Sequence, residues 1–394
     1  MARPESPATT RAGRSPADGI PTGLASTAMG ERRRPVLGEQ LGGRDNALNA
    51  VRLVLASLVI VSHAAPISGH GPTLAWHGVD LGAVAVAGFF VLSGYLIAGA
   101  RSRARLGPYL RQRFLRIVPA FWTVLVVTAF VLAPASTLWT GRTWSLGDGL
   151  SHVAHNAGLW IWQWDVGSTL EGNPTGAWNG SLWTLSYEFA AYLAVGALFV
   201  VPAVRRRPVR WVAPLALLAP VLLALARGPL DVTTNVYLAV LSLGTMYVTG
   251  VLAWAVRDRV PVDGRLALAA AGLLPVVVRF GLFDYLGAPL LGYLLLYAGA
   301  VVPWRVGSVN DISYGVYIYA FPVQQLLVVV GLAGLPNAAF AAVALVLTVP
   351  FAYASWRFVE RPAIRLGRVG RLAPARGPAP VSGVPATEEP AAQA

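Results

Sequence analysis

The chain has 394 residues, 55% of them hydrophobic and only 12% charged, with a mean hydropathy of +0.57 and no cysteine. So apolar a composition excludes a soluble globular domain, and the lack of cysteine excludes disulfides, thiolate metal sites and an acyl-cysteine intermediate. The net charge of +13 does not signal nucleic acid, because it is spread over loops between apolar runs, where each arginine near an anionic lipid surface is worth about 1 kcal/mol of attraction.

In chain order, residues 1–44 form a basic tail rich in Pro, Ala, Gly and Ser. It lacks the apolar core of a signal peptide and is expected to be disordered. Ten apolar runs follow: Asn46–Pro66, Val79–Ala100, Ile117–Leu138, Ser181–Val201, Trp211–Ala226, Thr233–Val256, Leu266–Val278, Tyr285–Pro303, Ile312–Leu332 and Ala338–Phe358. Most are long enough to cross a hydrocarbon core of roughly 30 Å at about 1.5 Å per helical residue. Their continuity, without strand-like alternation, excludes a barrel. The seventh is the shortest, broken by Pro275 and closed by Arg279. Residues 366–394 form a second tail of the same character as the first, leaving 45–365 as the membrane domain.

Arginine placement supports the count, because positive loops stay in the cytoplasm. The chain has no lysine, and with both ends inside, 28 of its 31 arginines face the cytoplasm, leaving Arg142, Arg227 and Arg279 outside. The expected architecture is an all-α membrane protein, a polytopic bundle of about ten transmembrane helices with both termini cytoplasmic.

Ionisable side chains inside spans are costly and by default functional. The first span carries Arg52 and His63. Eleven residues apart, they return to within about 20° of one helix face with a separation of roughly 16 Å. Snorkelling of Arg52 to the inner surface is the structural alternative. The fourth span carries Glu188, about 10 Å below the outer surface, where His63 lies about 5 Å below it. A buried carboxylate needs a partner, so the two are expected to meet at similar depth, with a neighbouring Tyr or Trp as the alternative partner.

The second span reads Gly88-Phe89-Phe90-Val91-Leu92-Ser93-Gly94-Tyr95-Leu96 and leads into a loop dense with arginine that includes Arg113 and Arg116. Gly88, Ser93 and Gly94 permit close helix approach. The arginines read either as a topogenic signal or as a phosphate clamp. Ser93 is not in a nucleophile elbow. His70, His77, His152 and His155 fall in outer loops without a carboxylate cluster, so no metal site is expected. The outer segment 136–180 holds six tryptophans, open to two readings, an aromatic belt at the interface or a stack for sugar rings.

Taken in order, these motifs resemble the acyltransferase 3 family of integral membrane acyltransferases, over residues 45–362. The resemblance rests on the Arg52 and His63 spacing, the Phe89–Leu96 run, and the Arg113 and Arg116 pair before Pro119. It rests also on the Ser181–Glu188 run, Ile312-Ser313-Tyr314-Gly315-Val316-Tyr317, and Glu360-Arg361-Pro362. It implies an acyl-coenzyme A donor, acetyl-coenzyme A in the first instance, drawn from the cytoplasm, with His63 as the catalytic residue and Arg52, Arg113 and Arg116 holding the donor. Many members carry a histidine in the ninth span, where this chain reads Tyr317-Ile318-Tyr319-Ala320-Phe321-Pro322.

The expected chemistry is O-acylation at the outer face of a bacterial cytoplasmic membrane. The acceptor is a carbohydrate or lipid-linked hydroxyl on a surface glycan, glycolipid or secreted metabolite. His63 would act as general base with Glu188 orienting it, and an acyl-histidine route is equally compatible with these residues. The rival readings are a transporter or flippase of a lipid-linked sugar, using the same ionisable groups as its pathway, and a structural membrane partner without turnover.

Overall fold

The computed structural model describes residues 34–43 and 45–368. The rest of both expected tails lies outside the described residues. Within them, residues Leu37–Leu41 form a short helix tied to the chain near Val260 through Leu37 N–H to the Val260 carbonyl at 3.0 Å. The C-terminal helix continues to Arg368.

All ten apolar runs are helical, and we number them α1 to α10. They are α1 Leu48–Ser68, α2 Leu81–Ser102, α3 Leu106–Thr140, α4 Thr184–Leu198, α5 Pro208–Arg227, α6 Asn235–Val256, α7 Gly264–Arg279, α8 Phe283–Val301, α9 Ser313–Val329 and α10 Asn337–Gly367. Seven are long and apolar enough to cross a membrane; α4, α7 and α9 have only 15, 16 and 17 residues. Sheet among the described residues is limited to a hairpin pairing Ala75–Trp76 with Val79–Asp80.

Two helices differ in extent from the hydropathy runs. Helix α3 begins at Leu106, eleven residues before the expected span, so Arg113 and Arg116 lie on a helix and not in a loop. Leu, Gln and Arg are good helix formers. Its first turns are anchored by Tyr109, buried, whose hydroxyl donates to the Tyr192 carbonyl at 2.8 Å. Hydropathy misses this stretch because its other face is charged. Helix α10 likewise runs on through a π-helical turn at Trp356–Glu360, which buries Glu360.

Helix α9 forms the centre of the bundle: every residue from Ser313 to Gln325 is buried. It packs between α1 and α10, and α1 packs in turn on α2. Helix α2 crosses α6 where Gly94 and Gly250 put backbone against backbone: a Cβ on Gly250 would collide with the Val91 carbonyl, and one on Gly94 with the Tyr247 carbonyl. This close crossing sets the α2 face that carries Ser93.

Between α3 and α4, helix Leu146–Asn156 starts in a capping box of Ser145 and Asp148 and leads into an irregular segment. That segment is clipped from within. Asn156 accepts from the Trp162 and Gln163 amides at 2.9 and 3.1 Å and donates to the Gln163 carbonyl at 2.7 Å. Buried His152 bonds the Asp165 carbonyl through Nδ1 at 2.7 Å and Asn179 through Nε2 at 3.2 Å.

Two predictions follow from this packing. Gly250→Ala should force α2 and α6 apart at a cost of about 1–3 kcal/mol, read as a lower melting temperature in detergent; unchanged melting would mean that the crossing is loose. Burial lowers the pKa of His152, and the Asp165 carbonyl and carboxylate oppose the shift without cancelling it. The neutral imidazole is therefore the native form, and its stabilising contribution is whole above about pH 6.5 and lost as pH falls through the lower native value. Wild-type melting should drop more between pH 7.5 and 5 than that of His152→Gln, whereas parallel pH profiles would contradict the clip.

Candidate active site

Three groups of polar side chains in the interior contain the residues singled out in the sequence. At the end of the bundle near the starts of α1 and α9, Asp311 Oδ2 accepts from Arg52 Nη1 and from Arg116 Nη2, both at 2.8 Å. Arg116 Nη1 also donates to buried Glu360 at 3.2 Å, and Ser313 donates to Asp311 Oδ1 at 2.6 Å. Burial works against ionising Asp311, but Arg52 and Arg116 outweigh it, so the carboxyl group stays well below the usual carboxylate range. Two cations facing two carboxylates leave the set formally neutral, the condition under which charges persist in a low dielectric.

The second group lies deeper. Glu188 Oε1 accepts from Ser93 at 2.6 Å and from Tyr192 at 2.5 Å. Arg113 stands over the Tyr192 ring, 5.9 Å from its centroid. Its buried Nε and the nearby Tyr247 hydroxyl have no hydrogen-bond partner among the described residues. Orphaned donors are rare in native interiors and imply something else in contact, water or ligand. Arg113 and Arg116, three residues apart on α3, thus differ in setting: carboxylates hold Arg116, and none among the described residues holds Arg113.

The third group surrounds His63. A cavity of about 430 Å³ is lined by His63, Asp80, Ser181, Trp183, Thr184, Asn235, Tyr317 and the ion pair of Arg227 with Asp284 at 2.5 Å. The imidazole packs edge-on against Phe321, with ring centroids 5.2 Å apart. Gly180 makes room for that ring, since a Cβ there would strike it. The motif segments of α4 and α9 meet here: the Tyr317 hydroxyl donates to the Ser181 carbonyl at 2.8 Å and pairs with Thr184 Oγ1 at 2.5 Å.

Asp80 is an acid that lines the same cavity as His63. It caps α2, accepting from the Ala83 amide at 2.8 Å. Glu188 does not line the cavity. Along α2 the cavity wall reaches Ala87, and Ser93, which holds Glu188, lies six residues further, roughly 9 Å deeper. The structure thus gathers Arg52 and Arg116 in one network, Arg113 and Glu188 around Tyr192, and His63 with Asp80.

Asp80 and Asp311 escaped the sequence reading, although Asp80 is the second residue of one apolar run and Asp311 stands directly before another, a recognisable helix-start signal. Glu360 was visible only as part of a motif. Among the described residues no three His, Asp or Glu side chains converge as a metal ion would require.

A family model described as an acyltransferase domain matches residues 45–357. The chain is 25% identical over 340 residues to an O-acetyl transferase of Shigella phage Sf6, covering 81% of this chain and 96% of that one. It is 26% identical over 363 residues to nodulation protein 10 of Rhizobium leguminosarum bv. viciae, covering 83% and 95%. It is 31% identical over 137 residues to the acyltransferase MdmB of Streptomyces mycarofaciens, covering 34% and 32%. No solved structure matches the chain.

The ion network makes its own prediction. Asp311→Asn leaves two part-buried arginines facing one carboxylate and should cost about 3 kcal/mol of stability, the lower end for a broken buried pair. Combining it with Arg52→Gln restores the balance and should recover part of that loss. Melting of the single and double variants in detergent decides; additive losses would mean that the charges are not coupled.

Proposed function

We propose a function from one premise: this chain belongs to the acyltransferase 3 family and is an acyltransferase of groups other than aminoacyl groups. It moves an acyl group, acetyl in the first instance, from acyl-coenzyme A to a hydroxyl of a surface glycan, glycolipid or secreted metabolite. It works in the bacterial cytoplasmic membrane, with α4, α7 and α9 also crossing, ten spans in all and both termini in the cytoplasm. The observation that carries the reading is the succession of three polar groups through an apolar bundle, ending at a histidine in a cavity. The name of the phage relative supports acetyl and oxygen in particular. The transporter reading draws on no observation that this one leaves over.

Arg52, Arg113 and Arg116 receive the donor at the cytoplasmic end. Arg113 makes the main contact, because its buried Nε has no hydrogen-bond partner among the described residues and a guanidinium fork suits phosphate oxygens. Arg52 and Arg116, already neutralised by Asp311 and Glu360, shape the entrance. Glu188, with Ser93 and Tyr192, lines the route of the pantetheine arm toward the outer half.

At the cavity, His63 takes the proton of the acceptor hydroxyl as its oxygen bonds the thioester carbonyl carbon. The carbon–sulfur bond breaks, and the proton passes from His63 to the departing sulfur. Asp80 offsets the charge that forms transiently on the imidazole, and Glu188 acts on the step only from a distance.

Coenzyme A release by the purified protein in nanodiscs, with acetyl-coenzyme A and a glycan acceptor, tests this. His63→Ala should lower acceptor-dependent release by about 10²–10⁴ while donor binding persists. Arg113→Ala should weaken donor binding without changing melting, and Lys should rescue it only in part. Near-normal transfer by His63→Ala would sink the mechanism. Reporter fusions after Arg207 and Gly228 should report the cytoplasm and the outside respectively, and the reverse would overturn the ten-span topology.

A further inference from the structure

A second cavity, of about 360 Å³, adjoins that of His63 and shares Trp183, Asn235 and Ala239 with it. Its other walls are Trp160 and Trp164 from the outer segment and Tyr187 from α4. The rings form a concave corner: Trp160 meets Tyr187 at 5.8 Å with 46° between planes, and Trp183 meets Tyr187 at 5.6 Å with 83°. Trp183 and Tyr187 stand one turn apart at the start of α4.

Interfacial anchoring does not account for this corner. Belt aromatics sit at the perimeter of a bundle facing headgroups, whereas these converge on one cavity and share a wall with the histidine. Nor does the lining suit a lipid tail. Ser186 and Asn235 stand among the rings, and the groove between α2, α4, α5 and α6, lined by Ala, Val and Leu side chains with Phe90, Tyr187 and Tyr247, offers such a tail a more apolar surface. Flat aromatic faces with a few polar groups match a ring that is apolar on its C–H face and hydroxylated at its edge. The corner is also preorganised. Asn156 bonds the Trp162 and Gln163 amides, and the Trp164 carbonyl accepts from the Trp178 amide at 2.8 Å. Such fixing lowers the ordering cost of binding.

We propose that this aromatic cavity is the acceptor subsite, which stacks one pyranose ring and presents its neighbouring hydroxyl to His63. It rests on the acyltransferase reading above but adds where and by what chemistry the acceptor is held.

The test separates the two. Equilibrium titration of methyl glucopyranoside, galactopyranoside, mannopyranoside and N-acetylglucosaminide into the full-length protein, followed by tryptophan fluorescence, asks about the subsite alone. At least one should bind saturably, and Trp160→Ala and Trp164→Ala should weaken it about tenfold, a loss in the range of one aromatic contact. Trp160→Phe, which keeps an aromatic face and the fold, should retain most of the binding. In turnover, Trp160→Ala should raise KM for the bound pyranoside about tenfold. No saturable binding of any of the four by the wild type overturns the proposal, as does equal binding by Trp160→Ala and Trp164→Ala. Saturable binding without any acyl turnover would instead count against the acyltransferase mechanism and leave the subsite standing.

Discussion

Asp311 accepts from Arg52 of α1 and Arg116 of α3 through one oxygen, while Ser313 at the head of α9 donates to the other. Helices without polar groups would gain little by associating in lipid, because tails solvate them as well as other helices do. Charges change that. A guanidinium buried without a partner costs several kcal/mol, by order of magnitude, so three helices that each bring part of a neutral set are compelled to converge. Glu360 adds α10 to the set. The fixed point at this end of the bundle is thus a shared counter-ion, and the orientation of α3 and of Arg113 upon it follows.

Above that network the helix contacts become steric and then polar again. Gly94 and Gly250 bring α2 against α6, which turns Ser93 toward Glu188. Tyr317 fastens the centre of α9 to the start of α4, so the segment that carries Trp183 and Thr184 cannot drift from the helix that carries Phe321. His63 is held mainly by packing against that ring; no hydrogen bond to the imidazole occurs among the described residues. Its ring nitrogens are therefore available, which the proposed role of His63 as general base requires.

Much of this was legible in the sequence. Apolar length alone placed all ten helices, because only continuous runs satisfy a lipid core, and the eleven-residue spacing of Arg52 and His63 placed them at opposite ends of one helix. Hydropathy failed where a helix is amphipathic, which hid the first three turns of α3 and the extension of α10 past Phe358. Depth counted from a span's end also misled. Counting alone put Glu188 level with His63, but α4 starts below a turn at 179–183 and meets α2 at Ser93, well beneath the cavity. The acids that accompany these groups, Asp80 in the cavity of His63 and Asp311 with the two arginines, were not paired with them by any motif. No local pattern states such a pairing; only the packing does.

The account turns on sidedness: a donor held among arginines at one end and an acceptor met by His63 at the other. Proteoliposomes of one orientation, with acetyl-coenzyme A supplied on one side and a membrane-impermeant glycan acceptor on the other, test that most directly. Acetylated glycan should appear only when the donor is on the side of the Arg52 and Arg116 network and the acceptor on the side of His63. Efficient transfer with both substrates confined to one side would contradict it.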